Sequence, residues 1–559
     1  MSRLVARMLP LVAFTACTGL GPGSGEPSGD TLVIAYQGDI GNLISVVSET
    51  AADSEIQSAI NMPVIDTEFD CSLKHGPGLA TNWEWSEDGK TLRMDLRDDI
   101  TFQDGTPVTA TDLAFTYDLV ADPQVASARI SYIERMVPDK RPLVIDDTTL
   151  EWHFTEAYDR DTQLAHASAL AVMPQHILAD ADRSTLRGHS FGRAPLASGP
   201  FKLARYEPNT RIVLEPNEAF TGPEEMRPNL DRVIFKILPE YSTRLIELQT
   251  GRSDYMQSIN VADADLIREQ NPEIRLERRG WRSMDYVAWN LQNPLFEDVR
   301  VRRALAMAVD VDDLIEKVLT SKTGESYARR ATGTITPALC GVHNDDIEPL
   351  PYNAEQAREL LAEAGWRDTT GDGYLDKDGN RFRFTLTTNT GNKRRADVAI
   401  LIQAHLERLG IRVDIEQQES NTFFENLRRK DYDAALAGWA AGLFVDPSTI
   451  WHSDIECDED SPPDCEPRKY EFNFTGYSNP RADELMQQGL RTPIPEESAP
   501  LWQELQEVIY DDQPYLFLWW MDEIVGIHER FEDTTIDVQS ALSNLHEWRV
   551  PPDKVKYRR

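Results

Sequence analysis

Residues 79–123 read LATNWEWSEDGKTLRMDLRDDITFQDGTPVTATDLAFTYDLVADP. Trp83 and Trp85 alternate along a short strand. The following Asp88-Gly89 tolerates the positive φ of a tight turn and predicts a hairpin. Leu92, Met94 and Leu96 alternate with polar residues, so the return strand buries one face. Asp104-Gly105 forms a second turn. Thr109 or Thr111 then caps a helix whose apolar positions Leu113, Ala114, Tyr117 and Leu119 share one side. Pro123 ends it. Taken alone, this is a hairpin followed by a helix, as in many α/β proteins.

The order and spacing carry more. The pattern LA-x-x-W-x-x-S-x-DG-x-T-x-x-x-x-L-R-x-x-x-x-F-x-DG-x-P-x-T-A-x-D resembles the signature of the family 5 extracellular solute-binding proteins, the receptors of peptide, nickel and oligosaccharide ABC importers. Met173-Pro-Gln-His-Ile-Leu178 is similar to its P-x-H-I-L element, and Pro195-Leu-Ala-Ser-Gly-Pro-Phe201 to its P-x-G-T-G-P-Y turn. Gly251-Arg-Ser-Asp254 resembles its L-x-x-G-x-x-D. Val287-Ala-Trp-Asn290 with Asn293–Leu305 resembles F-N-x-x-x-x-P-F-x-D-x-R-V-R-x-A.

The resemblance implies an α/β, two-lobed periplasmic-binding-protein fold (type II, cluster C) with an extra subdomain inserted in lobe I. It implies lobe I at 31–75 and 193–292, the insertion at 76–192, lobe II at 293–512, and a return to lobe I with a tail at 513–559. The buried strand Thr31–Tyr36 opens lobe I. A helix over 54–62, the Asn353 cap of a helix to Ala364, a long helix over 393–409, strands at 413–415 and 432–439, and a last long helix over 497–509 follow.

Composition narrows the class independently. At 559 residues the chain exceeds a single core. Lys+Arg 57 against Asp+Glu 94 gives a net charge of −37. Such a charge repels phosphate backbones, which argues against nucleic-acid binding. Arg3 and Arg7 precede a short apolar run, Met8–Ala16, which reads as a removable signal segment. Phe14-Thr15-Ala16-Cys17 resembles a lipobox, so residues 1–17 are expected to end in a lipidated Cys17. The Gly/Pro/Ser-rich stretch 18–30 is then a flexible tether. The expected product is a monomeric, extracytoplasmic lipoprotein, anchored by lipid alone, that serves a membrane permease.

Four further cysteines suit an oxidising compartment. Cys457 and Cys465 flank an acidic loop and can staple it, leaving Cys71 with Cys340. Three connectivities fit the sequence.

No G-x-S-x-G, H-E-x-x-H, Walker A or Rossmann glycine motif is present. The expected activity is therefore binding, not catalysis. Ligand residues are expected at the carboxyl ends of strands: Tyr36, Gln37 and Asn42 after the first strand, and Trp439, Gly442, Phe444 and Asp446 after the strand at 432–439. In the oligopeptide receptors a Trp lines the pocket at the position of Trp439, and a carboxylate three residues later meets the peptide amine. Here that position is Gly442, and the Arg those receptors carry three residues before the Trp is Leu436. Asp446 offers a substitute carboxylate. The solute is expected to be a peptide or, given Trp439, Phe444, Trp451, Trp519 and Trp520, an oligosaccharide. Trp519 and Trp520 read first as core, whereas Trp439 reads equally as core or cleft.

Asp368, Thr370, Asp372, Tyr374 and Asp376 sit at positions one, three, five, seven and nine of a calcium-type loop, with Gly373 at six. Gly379 stands where a bidentate Glu belongs, and the alternative is a plain Asp-Gly hairpin. Calcium is the one cofactor the sequence suggests.

Overall fold

A computed structural model describes residues 31–48, 50–68, 74–127, 129–137, 140–390, 392–440, 442, 445–454, 472–538 and 540–556. Cys17, the tether, Cys71, Cys457, Cys465 and Phe444 lie outside these residues.

The opening stretch folds as its pattern requires. Ala80–Trp85 pairs antiparallel with Thr91–Leu96, and Gly89 turns with φ +68°. Leu92, Met94 and Leu96 are buried. Thr109 caps the helix Ala110–Ala121 through a capping box with Asp112. Asp112 also accepts from the amide of Gln175 at 2.9 Å, which joins the signature helix to the Pro174–Leu178 turn. Thr149–Phe154 continues this sheet, with Met136–Val137 and Leu143–Asp146 beside it. Their core reaches back to Ile44, Val46 and Val47 and includes Phe220.

The main sheet has eleven strands and runs through both lobes without interruption. In lobe I, Thr31–Tyr36 lies parallel to Arg232–Ile237. In lobe II, Arg383–Asn389 lies parallel to Arg412–Gln418 and to Ala434–Ala440. Two long strands, Ile274–Trp289 and Tyr515–His528, cross between the lobes as an antiparallel pair. The first of them ends three residues before the expected boundary near 292. The ladder breaks between Arg279 and Ser283, where Trp281 takes φ +53°. The sequence showed only the apolar end of this strand, because Ile274–Gly280 is rich in arginine. Similarly the helix expected at 54–62 is Ala51–Ile60, started by a capping box between Thr50 and Asp53.

Three motif positions have direct structural work. Asp254 accepts two bonds from the Arg530 guanidinium, at 3.0 and 2.8 Å, and one from the amide of Val33. Arg302 is buried and donates to the carbonyls of Phe296, Glu297 and Asp512, closing the turn before its own helix. At Gly199 a Cβ would stand 2.6 Å from the Asn61 carbonyl carbon, so only glycine lets this turn lie against the end of the Ala51–Ile60 helix.

Candidate functional site: the interlobe cleft

The carboxyl ends of the parallel strands in each lobe carry the expected ligand residues, as open α/β sheets require. In lobe I, Tyr36 is buried and its hydroxyl hydrogen-bonds the Glu55 carboxylate. Burial and the Glu55 charge push the hydroxyl's pKa up. Burial also raises the Glu55 carboxyl, with Glu523 adding to the rise, against the Tyr36 bond and Arg279. Arg279 pairs with Glu523 at 2.9 Å. Glu523 thus holds the guanidinium where the crossing strands leave lobe I, and Glu55 feels its charge without pairing to it among the described residues. Gln37 is exposed. Asn42 is occupied in building its loop: its amide donates to the Arg187 carbonyl at 2.8 Å and its oxygen accepts from Ile44 N at 2.9 Å.

In lobe II, Trp439 is half-buried. Its ring stacks on Phe474 at 5.4 Å and Tyr286 at 5.9 Å, and its indole N–H points to the Tyr515 hydroxyl at 3.4 Å. Gly442 is exposed. Trp451, Trp519 and Trp520 are fully buried and belong to the core. Asp446 is engaged: it pairs with Arg135 of the inserted subdomain at 3.3 Å and accepts from Ser448 N at 3.2 Å.

Beside Trp439 lies a cluster that sequence reasoning missed. Asp285, fully buried in the long strand, accepts from Arg394 at 2.9 Å and Arg395 at 3.0 Å. Burial works to raise its pKa, but the two guanidiniums hold it below the ordinary value. Two cations share one anion here, the reverse of the charge balance in lobe I. A Cβ at Gly438 would stand 2.3 Å from Arg395 Nη2 and 2.6 Å from the Met284 carbonyl, which explains the glycine before Trp439. The available signal was an aspartate inside the apolar run Met284–Trp289, since a carboxylate is rarely buried unpaired.

The loop 368–379 closes on itself. Asp368 accepts from the amides of Gly371, Asp372 and Gly373. Asp372 pairs with Arg381 and accepts from Tyr374 N, and Asp376 takes Thr369 N. Thr370 and Tyr374 complete the turn, with Tyr374 under the Arg381 guanidinium. Among the described residues no three His, Cys, Asp or Glu side chains converge as a metal site. Cys340 is disulfide-bonded.

The far rim of the cleft is also closed. Asp159 N donates to the Leu490 carbonyl at 2.9 Å and Arg160 N to the Pro493 carbonyl at 3.2 Å. Arg491 pairs with Glu156 at 2.9 Å.

Two α/β lobes, built on one sheet and bridged by its two long strands, define the fold of a solute-binding protein. The chain belongs to the bacterial extracellular solute-binding proteins, family 5, whose model matches residues 74–460. It is 29% identical over 532 residues to the oligopeptide-binding protein AppA of Bacillus subtilis, covering 94% of this chain and 92% of that one. It is 27% identical over 462 residues to the dipeptide-binding protein of Escherichia coli, covering 79% and 80%. The solved structure of Bacillus subtilis AppA in complex with a nonapeptide matches with TM-score 0.76 at 28% identity, over 94% of this chain and 100% of that one. NikZ from Campylobacter jejuni in complex with Ni(L-His) matches at TM-score 0.77 and 21% identity, over 93% and 99%, and shares the fold. These relatives are binding proteins, in line with the lack of a catalytic motif in this sequence.

Proposed function

We propose that this protein captures a peptide between its lobes and delivers it to an ABC permease, as an exported lipoprotein held at the membrane through Cys17. The observation that carries the peptide reading is the charge arrangement around the cleft, supported by the likeness to AppA over nearly the whole chain. Glu55 and Glu523 outnumber Arg279 on lobe I. Arg394 and Arg395 outnumber Asp285 on lobe II. A zwitterion matches this polarity: its ammonium meets the lobe I carboxylates and its carboxylate meets the lobe II guanidiniums. The arrangement supplies both charges without the carboxylate and arginine replaced by Gly442 and Leu436. Tyr36, Gln37 and Gly442 would frame the main chain, and Trp439 would cover a side chain. Closure would bury the peptide by shifting an existing equilibrium between open and closed forms.

The test is a thermal-shift screen of the mature chain against di- to nonapeptides, their N-acetylated and C-amidated forms, oligosaccharides and Ni²⁺. A ligand held only by the folded state raises the melting temperature by mass action, by about 2.7 kcal/mol of stability at a hundredfold excess over Kd. Free peptides are expected to shift it, and blocking either terminus to reduce the shift. Silence from every peptide together with a response to a sugar or nickel would overturn the assignment.

A further inference from the structure

The contact between the inserted subdomain and lobe II differs from the hinge-side contact in having no shared apolar cluster among the described residues. On the hinge side one apolar cluster runs across the junction, from Leu248, Met256 and Ile259 of lobe I to Leu314, Leu319 and Trp519 of lobe II. On the far side no such sharing occurs among the described residues. The buried core of the insertion and its surroundings draws only on Ile44 to Phe220. The core of lobe II opposite it draws only on Met284 to Trp520. What joins the two is polar. Asp159 N and Arg160 N donate to the carbonyls of Leu490 and Pro493. Ser498 Oγ reaches Asp159 Oδ2 at 3.5 Å. Arg135 pairs with Asp446 at 3.3 Å, and Glu156 with Arg491 at 2.9 Å.

We infer that this seam is a latch: the Arg135–Asp446 and Glu156–Arg491 pairs, with the two main-chain bonds beside them, hold the insertion against lobe II and set how readily the cleft opens. A polar seam separates more easily than an apolar one, because each of its groups recovers hydrogen bonds from water when the lobes part. Among the described residues no strand pairs the insertion with lobe II, since the insertion forms its own five-stranded sheet apart from the one that holds the two crossing strands. The seam is therefore free to part while the hinge side stays packed. Asp446 stands in the loop that follows Trp439, so the residue that keeps the rim shut belongs to the same segment as that aromatic stack. Its carboxylate is taken by Arg135, and the lobe I carboxylates are left to meet a peptide ammonium.

The inference rests on the hinged two-lobe reading, and its test uses no peptide, so it stands or falls apart from the identity of the solute. In the full chain, the amides of Asp159 and Arg160 are expected to be protected from hydrogen exchange. Arg135→Glu is expected to speed their exchange by about tenfold, a shift of about 1.4 kcal/mol, and to enlarge the radius of gyration in X-ray scattering. The double variant Arg135→Glu/Asp446→Arg is expected to return both readings toward wild type. Glu156→Arg and its partner-swapped double with Arg491→Glu repeat the test on exposed residues, and decide it alone if the Arg135 variant fails to fold. Unprotected amides at 159 and 160 in wild type, or identical exchange and scattering in wild type, single and double variants, would overturn the latch.

Discussion

Asp159 and His166 stand on the same short helix and titrate in opposite senses. Asp159 caps the helix by accepting from Thr162 N, and its burial against lobe II pushes its pKa up to about 6, with the charge of Asp161 adding to this and the Thr162 and Ser498 bonds opposing it. His166 lies under the Tyr132 ring at 4.7 Å. Burial lowers its pKa to about 4, aided by Arg135 and opposed by Asp446. Between pH 4 and 6 the folded chain keeps a proton on Asp159 that the unfolded chain releases, so this group's contribution falls as pH rises. Between pH 6.5 and 4 the unfolded chain protonates a histidine that the folded chain keeps neutral, so this contribution falls as pH drops. The two offset each other in wild type. Asp159→Asn keeps an oxygen for Thr162 N and removes only the first. Its unfolding free energy from urea titration is expected to exceed that of wild type at pH 7 by about 3 kcal/mol, and to drop more steeply on acidification to pH 4.5. Parallel midpoint curves for the two proteins would show that Asp159 is ionised in the fold at both pH values.

At the scale of elements, ends and turns decide the outcome. The Asp254 clamp joins the first strand, the turn after Gly251 and the segment after the last strand in one buried charge pair. Breaking a buried pair leaves an uncompensated charge, so Asp254→Ala is expected to cost about 3–5 kcal/mol, read as a lower urea midpoint at unchanged slope. A loss under 1 kcal/mol would mean that Arg530 finds water or another partner. The 368–379 loop makes the opposite case, since its carboxylates are spent on its own amides and on Arg381. Added calcium is expected to leave the melting temperatures of wild type and Asp372→Ala unmoved. A rise in wild type that Asp372→Ala abolishes would show that the loop binds calcium.

For the whole molecule, charge and topology matter most. At −37 the surface repels itself, and salt shortens the reach of that repulsion from ~10 Å at 0.1 M to ~3 Å at 1 M. Sodium chloride is expected to raise the melting temperature over that range; a fall would show that the surface ion pairs outweigh the net charge. Much of the fold was legible because its signature residues act locally. Asp88-Gly89 turns a hairpin, Thr109 with Asp112 caps a helix, and Asn353 caps another, each readable within a few positions. What escaped reading depends on partners far away in the chain. Nothing near Arg135 announces Asp446, 311 residues on, and nothing near Asp285 announces Arg394, 109 residues on. The crossing strand was half hidden for a related reason, since its arginines pair with Glu523 and Asp522 of the other crossing strand.

The Asp254–Arg530 clamp has a consequence for how the molecule is made. Arg530 also donates to the carbonyl of Thr31, a contact spanning 499 positions. Lobe II has its strands and helices between Ser283 and Met521 and can collapse while the chain is still being extended. The first strand of lobe I has its ladder partner, Arg232–Ile237, early, but the clamp on it waits for almost the last residues to be synthesised. Contacts so distant in sequence form slowly, because the loop entropy must be met before they give any return. A nascent chain therefore carries an unsealed amino-terminal half until its carboxyl end is released, and a chain truncated before Arg530 is expected to remain open to proteases in lobe I while its lobe II resists them.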